Sequence, residues 1–311
     1  MTKSISIVIP VYNSAELFPL VVSEINQVLS GSDRPYEIIL VNDGSRDGSW
    51  QGIENLVSKK PGVVRGINLM KNYGQHNALL CGIRAAKHEI CVTMDDDGQH
   101  AATDIPKLLA KLDEGFEVVY GAPLEQKHGL LRDIASVLTK AALQNIMNAE
   151  SARNVSAFRM FYTRLREAFV DVRGATISID VLLTWGSTKF GVLKVAHRPR
   201  IQGESQYSFR RLFQHAMNMM TGYSTLPLRI SSGIGFILTL FGAVVFMYTF
   251  IRYLIFGGVV PGFTFLASMI SVFSGAQLFA LGIMGEYLGR MHYRLMDKPS
   301  YTIAEKQGFN E

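Results

Sequence analysis

The 311-residue chain reads as an α/β domain on a mainly parallel sheet, followed by an amphipathic interface segment and two transmembrane helices. Three observations predict this order. Short β-branched runs alternate with stretches of helical spacing over the first 120 residues. Polar clusters close three of those runs. Further on, two long stretches carry no charged side chain.

The first run, SISIVIPVYN, is a strand stopped by Pro10 and Asn13. Residues 15–30 place Leu17, Leu20, Val21, Ile25, Val28 and Leu29 on one helical face that ends at Gly31. YEIILVND is a second strand, closed by the turn chemistry of NDGSRDGS. A helix over 49–59, the strand VVRGINL, the helix HNALLCGIRAAK and the strand EICVTMD follow. Alternation of this kind builds βαβ units whose sheet is covered on both faces. Ligands of open sheets bind at the carboxyl ends of the strands, and PVYN, NDGS and DDDGQH share that edge.

The cluster Asp95, Asp96 and Asp97 is the most demanding of these. Three adjacent carboxylates raise one another's pKa values unless a positive charge sits among them. A divalent metal answers that; solvation at a loop tip is the alternative. No GxGxxG or GxxxxGK[ST] pattern occurs, which disfavours a dinucleotide fold and a P-loop ATPase. Cys81 and Cys91 lie in apolar segments and read as buried thiols of a reducing compartment.

No residue is charged between Arg229 and Arg252, or between Arg252 and Glu286. Each stretch supplies the roughly 20 apolar residues that span a bilayer core. The expected spans are 230–251 and 263–285. Arg210, Arg211 and Arg229 precede this hairpin, and Arg290, Arg294 and Lys298 follow it, which puts both ends in the cytoplasm. The expected organisation is an α/β domain over 1–205, a juxtamembrane segment over 206–229, a two-helix hairpin over 230–285 and a tail over 286–311. In 206–226, arginines and His215 mix with Phe209, Leu212, Phe213, Met217 and Met220, as in an interfacial helix or a Met-rich packing face. The net charge of +5 suits anionic lipid. No basic run with interleaved aromatics points to nucleic acid.

Seven motifs in order then carry a resemblance: VIPVYN (8–13), VNDGSRDGS (41–49), KNYGQ (71–75), DDDGQ (95–99), RIQGESQYSF (200–209), LPLR (226–229) and GEYLGR (285–290). The chain resembles the family-2 glycosyltransferases of GT-A fold. It is most similar to the polyprenyl-phosphate glycosyltransferase branch, with dolichol-phosphate mannose synthase and bacterial undecaprenyl-phosphate sugar transferases. The resemblance covers nearly the whole length and implies transfer of a sugar from a nucleotide-sugar, with uridine favoured over guanosine, to a polyprenyl phosphate. The product would be a lipid-linked sugar for modifying cell-envelope glycans or glycolipids. It implies an inner-membrane enzyme with a cytoplasmic catalytic domain, assembled as a homo-oligomer, a tetramer by resemblance.

The same resemblance implies site residues. Asp97, with Asp95, would hold Mg²⁺ or Mn²⁺ against the sugar diphosphate. Asp95, Asp97 and Arg159 would form the catalytic set. Pro10, Tyr12, Asn13, Asp43, Lys71, Gln75, Asp95 and Asp96 would cradle the nucleotide, with Asp96 either a solvated neighbour or a partner to the ligands. Arg200, Ser205, Tyr207 and Arg132 would receive the lipid phosphate. His76 and His100 read as structural or solvated rather than acid–base groups.

Four positions depart from the pattern. Ser14 stands for a glutamate, Pro123 for an arginine, Ala157 for an aspartate proposed as a base, and Gln206 for a lysine. They fit a divergent donor or, at the extreme, an inactive protein. A phosphate monoester has a second pKa near 6, so its oxygen is anionic at neutral pH and attacks without a base at 157. A processive polysaccharide synthase is disfavoured because Q-x-x-R-W is absent and the spans are few. A non-catalytic nucleotide-sugar sensor or scaffold is the alternative of another class.

Overall fold

A computed structural model describes residues 3–124, 154–174, 177–198, 225–256 and 262–309. The chain divides into two compact units, one of residues 1–212 with 297–311, the other of residues 213–296.

Among the described residues, the first unit holds an eight-stranded mixed sheet. Its strands are β1 (Ile5–Val11), β2 (Tyr36–Asn42), β3 (Val64–Leu69), β4 (Ile90–Thr93), β5 (Val118–Pro123), β6 (Arg159–Tyr162), β7 (Phe190–Val195) and β8 (Ile303–Gln307). Their order across the sheet is β7-β5-β6-β4-β1-β2-β3-β8. β1 pairs in parallel with β2 and β4, β2 with β3, and β5 with β7. β6 runs antiparallel between β4 and β5, and β8 antiparallel to β3.

Among the described residues of this unit the α-helices are α1 (Phe18–Leu29), α2 (Ser49–Lys59), α3 (Gln75–Ala85), α4 (Ile105–Asp113) and α5 (Ile179–Gly186). Alternate residues of β1 divide the core. Ile5, Ile7, Ile9 and Val11 join Phe18, Val22 and Ile25 of α1 and Leu108 of α4 in one buried cluster. The other face of β1 and β2 packs under α3. Burial on both faces is why the central strands are mostly apolar rather than alternating, with Ser6 of β1 and Glu37 of β2 bonded to each other where they interrupt the runs.

The first strand does not stop at Pro10. The Val8 carbonyl faces β4 and accepts from the Met94 N–H, while that of Val11 faces β2 and accepts from the Asp43 N–H. Position 10 has the parity of position 8, so its missing N–H would point toward β4. That strand has already ended at Thr93, paired with Val8, and no ladder bond is lost.

From β1 the chain adds β2 and β3 on one side and then crosses to place β4 on the other. The carboxyl ends of β1 and β4 therefore flank a topological switch point, where open α/β sheets bind ligands.

Residues 286–311 read as a tail from the sequence, yet Ile303–Gln307 is a strand at the edge of the sheet. The approach is fastened by the Thr302 carbonyl, which accepts from the Met70 N–H at 3.0 Å. The Arg65 guanidinium lies 3.7 Å from the centre of the Phe309 ring.

The second unit contains α6 (Leu226–Phe256) and α7 (Phe263–Leu295), which pack on each other. Among the described residues, Pro227–Phe256 is the one helix long and apolar enough to cross a membrane, with a mean hydropathy of 2.3 over its most apolar 18-residue window. Both helices outrun the spans read from sequence. Charge marks the end of an apolar stretch, whereas the backbone ladder continues past it; in the last turns of α7 Arg290 pairs with Glu286 at 2.6 Å.

Candidate active site

Four loops meet at the carboxyl edge of β1, β2, β3 and β4. After β1, Asn13 takes a left-handed φ of 50°, a conformation that asparagine tolerates better than most residues. Its Oδ1 accepts from the Arg46 N–H at 2.9 Å and its own N–H donates to Ser45 Oγ at 3.0 Å, which joins the β1 loop to the β2 loop.

Asp43 closes β2 and is buried. Oδ1 accepts from the Tyr73 N–H at 2.7 Å and Oδ2 from the Gly74 N–H at 2.9 Å. Burial pushes this carboxyl above its ordinary range, against the opposing pull of the two backbone N–H groups. Gly44 lets the loops approach: at φ 66°, a Cβ there would collide with the backbone of Lys71 and Asn72. Beyond the loop, Gln75 begins α3, and its Nε2 donates to Asp95 Oδ1 at 2.5 Å. Lys71 Nζ lies 5.3 Å from the centre of the Tyr73 ring.

The aspartates differ in their surroundings. Asp96 bridges the switch point: its Oδ2 accepts from the Tyr12 N–H at 3.1 Å and from Ser14 Oγ at 2.5 Å. Burial raises its pKa, while Ser14 and Tyr12 oppose the shift. Asp97 Oδ1 accepts from the Gln99 N–H at 3.1 Å, within a loop turned by Gly98 at φ 72°. Asp96, read as either solvated or a partner, is a half-buried tie between the strand ends. Ser14, one of the four departures, is what it ties to.

Among the described residues no group of three or more His, Cys, Asp and Glu side chains is arranged to hold a metal. Hard carboxylate oxygens nevertheless suit Mg²⁺ or Mn²⁺, which protein sites commonly hold by one or two carboxylates plus substrate phosphates. Asp95 and Asp97 fit such a substrate-completed site.

Arg159 opens β6 level with Thr93 and is only 2% exposed. Its Nη1 pairs with Asp180 Oδ1 at 2.5 Å, and Tyr120 donates its hydroxyl to the same oxygen at 3.1 Å. Sequence reasoning missed this buried trio because Asp180 belongs to no recognised motif. The Ala157 carbonyl accepts from Thr93 Oγ1 at 2.7 Å, which puts that departure beside the end of β4.

His76 Nδ1 accepts from the Ile179 N–H at 3.3 Å. His100 is buried, stacked on Phe158 at 5.2 Å and edge-on to His197 at 5.0 Å. Burial, with His197 adding to it, pushes its pKa down to about 4 and keeps it neutral near pH 7. Both thiols are free and buried, and burial pushes Cys81 up to about 12. Arg132, Arg200, Ser205, Gln206 and Tyr207 lie outside the described residues.

Residues 6–169 match the family model of glycosyl transferase family 2. The chain belongs to that family, and it is a glycosyltransferase. Within the family it is similar to enzymes that act on a polyprenyl phosphate. An undecaprenyl-phosphate 4-deoxy-4-formamido-L-arabinose transferase of Shewanella sediminis is 31% identical over 303 residues, covering 97% of this chain and 92% of that one. The Photorhabdus laumondii protein of the same name is 29% identical over 311 residues, covering 99% and 96%. Glucosyl-3-phosphoglycerate synthase from Mycobacterium tuberculosis, crystallised with Mn²⁺, UDP and phosphoglyceric acid, superposes with a TM-score of 0.51 at 17% identity. That match covers 70% of this chain and 76% of that one. Mannosyl-3-phosphoglycerate synthase from Rubrobacter xylanophilus gives 0.51 at 16% identity, over 70% and 73%. The sheet domain is thus GT-A-like.

Proposed function

We propose that this glycosyltransferase moves a sugar from a UDP-sugar to undecaprenyl phosphate at the cytoplasmic face of the inner membrane. The observation that carries the reading is the meeting of Asp96, within the 95–97 triplet, with Tyr12 and Ser14 across the β1/β4 switch point. A nucleotide lies naturally along such an edge, with its base toward the loops after β1 and β2 and its diphosphate toward the aspartates.

Asp97, with Asp95, would hold Mg²⁺ or Mn²⁺, which would supply positive charge to offset that of the diphosphate leaving group. The lipid phosphate oxygen attacks the anomeric carbon in line, opposite the leaving group, with inversion through an oxocarbenium-like state. That oxygen is already anionic, so Ala157 is no obstacle. Arg159, buried against Asp180, acts by tying the start of β6 to α5.

On the acceptor side, Arg200 with Ser205, Tyr207 and Arg132 takes the lipid phosphate. Support comes from Arg198, whose N–H donates to the Gln99 carbonyl at 3.0 Å, two residues past Asp97. Arg200 is two positions further along the sequence. α6 and α7 both cross the membrane in this reading, and the cationic flanks keep both termini in the cytoplasm.

The test offers membranes a panel of labelled nucleotide sugars, UDP-4-deoxy-4-formamido-L-arabinose among them, and reads lipid products by mass spectrometry. A polyprenyl-monophosphate sugar from one UDP-sugar is expected. Nucleotide binding without a lipid product across the panel would make the chain a sensor or scaffold instead.

A further inference from the structure

Past the carboxylates, the loop after β4 has no strand to hold it, and its far end is fastened by groups from two other elements. Glu24 on α1 accepts from the Ala102 N–H at 3.1 Å through Oε1. The same carboxylate takes both arms of the Arg198 guanidinium, Nη1 to Oε2 at 2.8 Å and Nη2 to Oε1 at 3.0 Å. Arg198 also grips the loop by its backbone, its N–H donating to the Gln99 carbonyl at 3.0 Å. Between these points His100 is wedged against Phe158 and His197. One glutamate and one arginine therefore join α1, the aspartate loop and the exit of β7.

We propose that Glu24 and Arg198 are positioning residues that hold the far end of the aspartate loop, so that Asp95 and Asp97 keep the spacing a metal–diphosphate requires. This rests on the metal-dependent transfer proposed above. Catalytic groups hold their geometry only when a supporting layer is itself fixed, and here that layer is a forked ion pair plus two backbone bonds. With side-chain exposures of 48% and 25%, the pair adds little to global stability, which separates positioning from folding.

The experiment uses the full chain in detergent, with Mn²⁺ and UDP as probes. Paramagnetic resonance titrates Mn²⁺ in Arg198→Ala, Arg198→Lys and Glu24→Gln, and melting is recorded alongside. Arg198→Ala and Glu24→Gln should each weaken Mn²⁺ binding about fivefold, with melting nearly unchanged. Arg198→Lys should fall between Arg198→Ala and wild type, because it keeps the charge and loses the fork. Affinities within about twofold of wild type in both Arg198→Ala and Glu24→Gln would overturn the proposal. If the wild-type chain binds no Mn²⁺ with UDP, the metal reading fails on its own. Amide exchange then decides the clamp: faster exchange at Ala102 in Glu24→Gln supports it, and unchanged exchange refutes it.

Discussion

Replacing Asp43 by asparagine tests whether the four loops form one cooperative frame. The carboxylate accepts two backbone N–H groups, from Tyr73 and Gly74, while only 2% exposed. Asparagine keeps one acceptor and turns the other into an NH₂ that faces an N–H. One buried donor is left unsatisfied, at a cost of about 1–3 kcal/mol. Part of this is offset, because burial already raises the Asp43 pKa and a neutral side chain escapes that penalty. A net loss of about 2 kcal/mol corresponds to a melting point lower by about 4–8 °C for a domain of this size. The displaced segment leads into Gln75, which donates to Asp95, so nucleotide affinity should fall in parallel. Thermal melting followed by intrinsic fluorescence, with calorimetric UDP titration on the same sample, measures both. An unchanged melting point together with unchanged UDP affinity would refute the idea that Asp43 ties the loops.

Glu37 governs acid sensitivity. Burial pushes its carboxyl up, but bonds from Ser6, the Lys87 N–H and Arg65 outweigh this and leave the pKa lowered. Its stabilisation is present above the unfolded value of about 4.3 and is lost as pH falls through the lower folded value. Glu37→Gln should cost about 3 kcal/mol at pH 7, with the gap to wild type narrowing below about pH 4 in a melting series. Gly44→Ala should lower both melting point and UDP affinity, since φ is 66° and the added Cβ meets the Lys71–Asn72 backbone. Asp97→Asn should cut transfer at least about a hundredfold while the protein stays folded and membrane-bound, with Asp95→Asn severe and Asp96→Asn milder. Full activity of Asp97→Asn in EDTA would end the metal argument.

The central strands were legible because burial on both faces favours runs dominated by Ile, Val and Leu, as in Ile7–Ile9 of β1 and Ile38–Val41 of β2. β8 was not, because its sequence IAEKQ carries charged, exposed side chains and its place comes from backbone pairing with β3. β6 is four residues long and lies antiparallel between strands distant in sequence, so no local period announces it. In the site, the triplet at 95–97 stood out as a cluster of charge. Which aspartate is tied down depends on the turn at Gly98 and on Ser14 across the switch point, and no spacing rule reports that. The Glu24–Arg198 fork was invisible for the same reason, as its partners are 174 positions apart.

The most direct test of the central claim uses purified protein, undecaprenyl phosphate, the active UDP-sugar and Mn²⁺, and identifies both products of one turnover. UDP is expected as the released nucleotide, with a lipid carrying one phosphate between polyprenyl and sugar and an inverted anomeric configuration. Release of UMP with a two-phosphate lipid, or of UDP with free sugar and no lipid product, would contradict it.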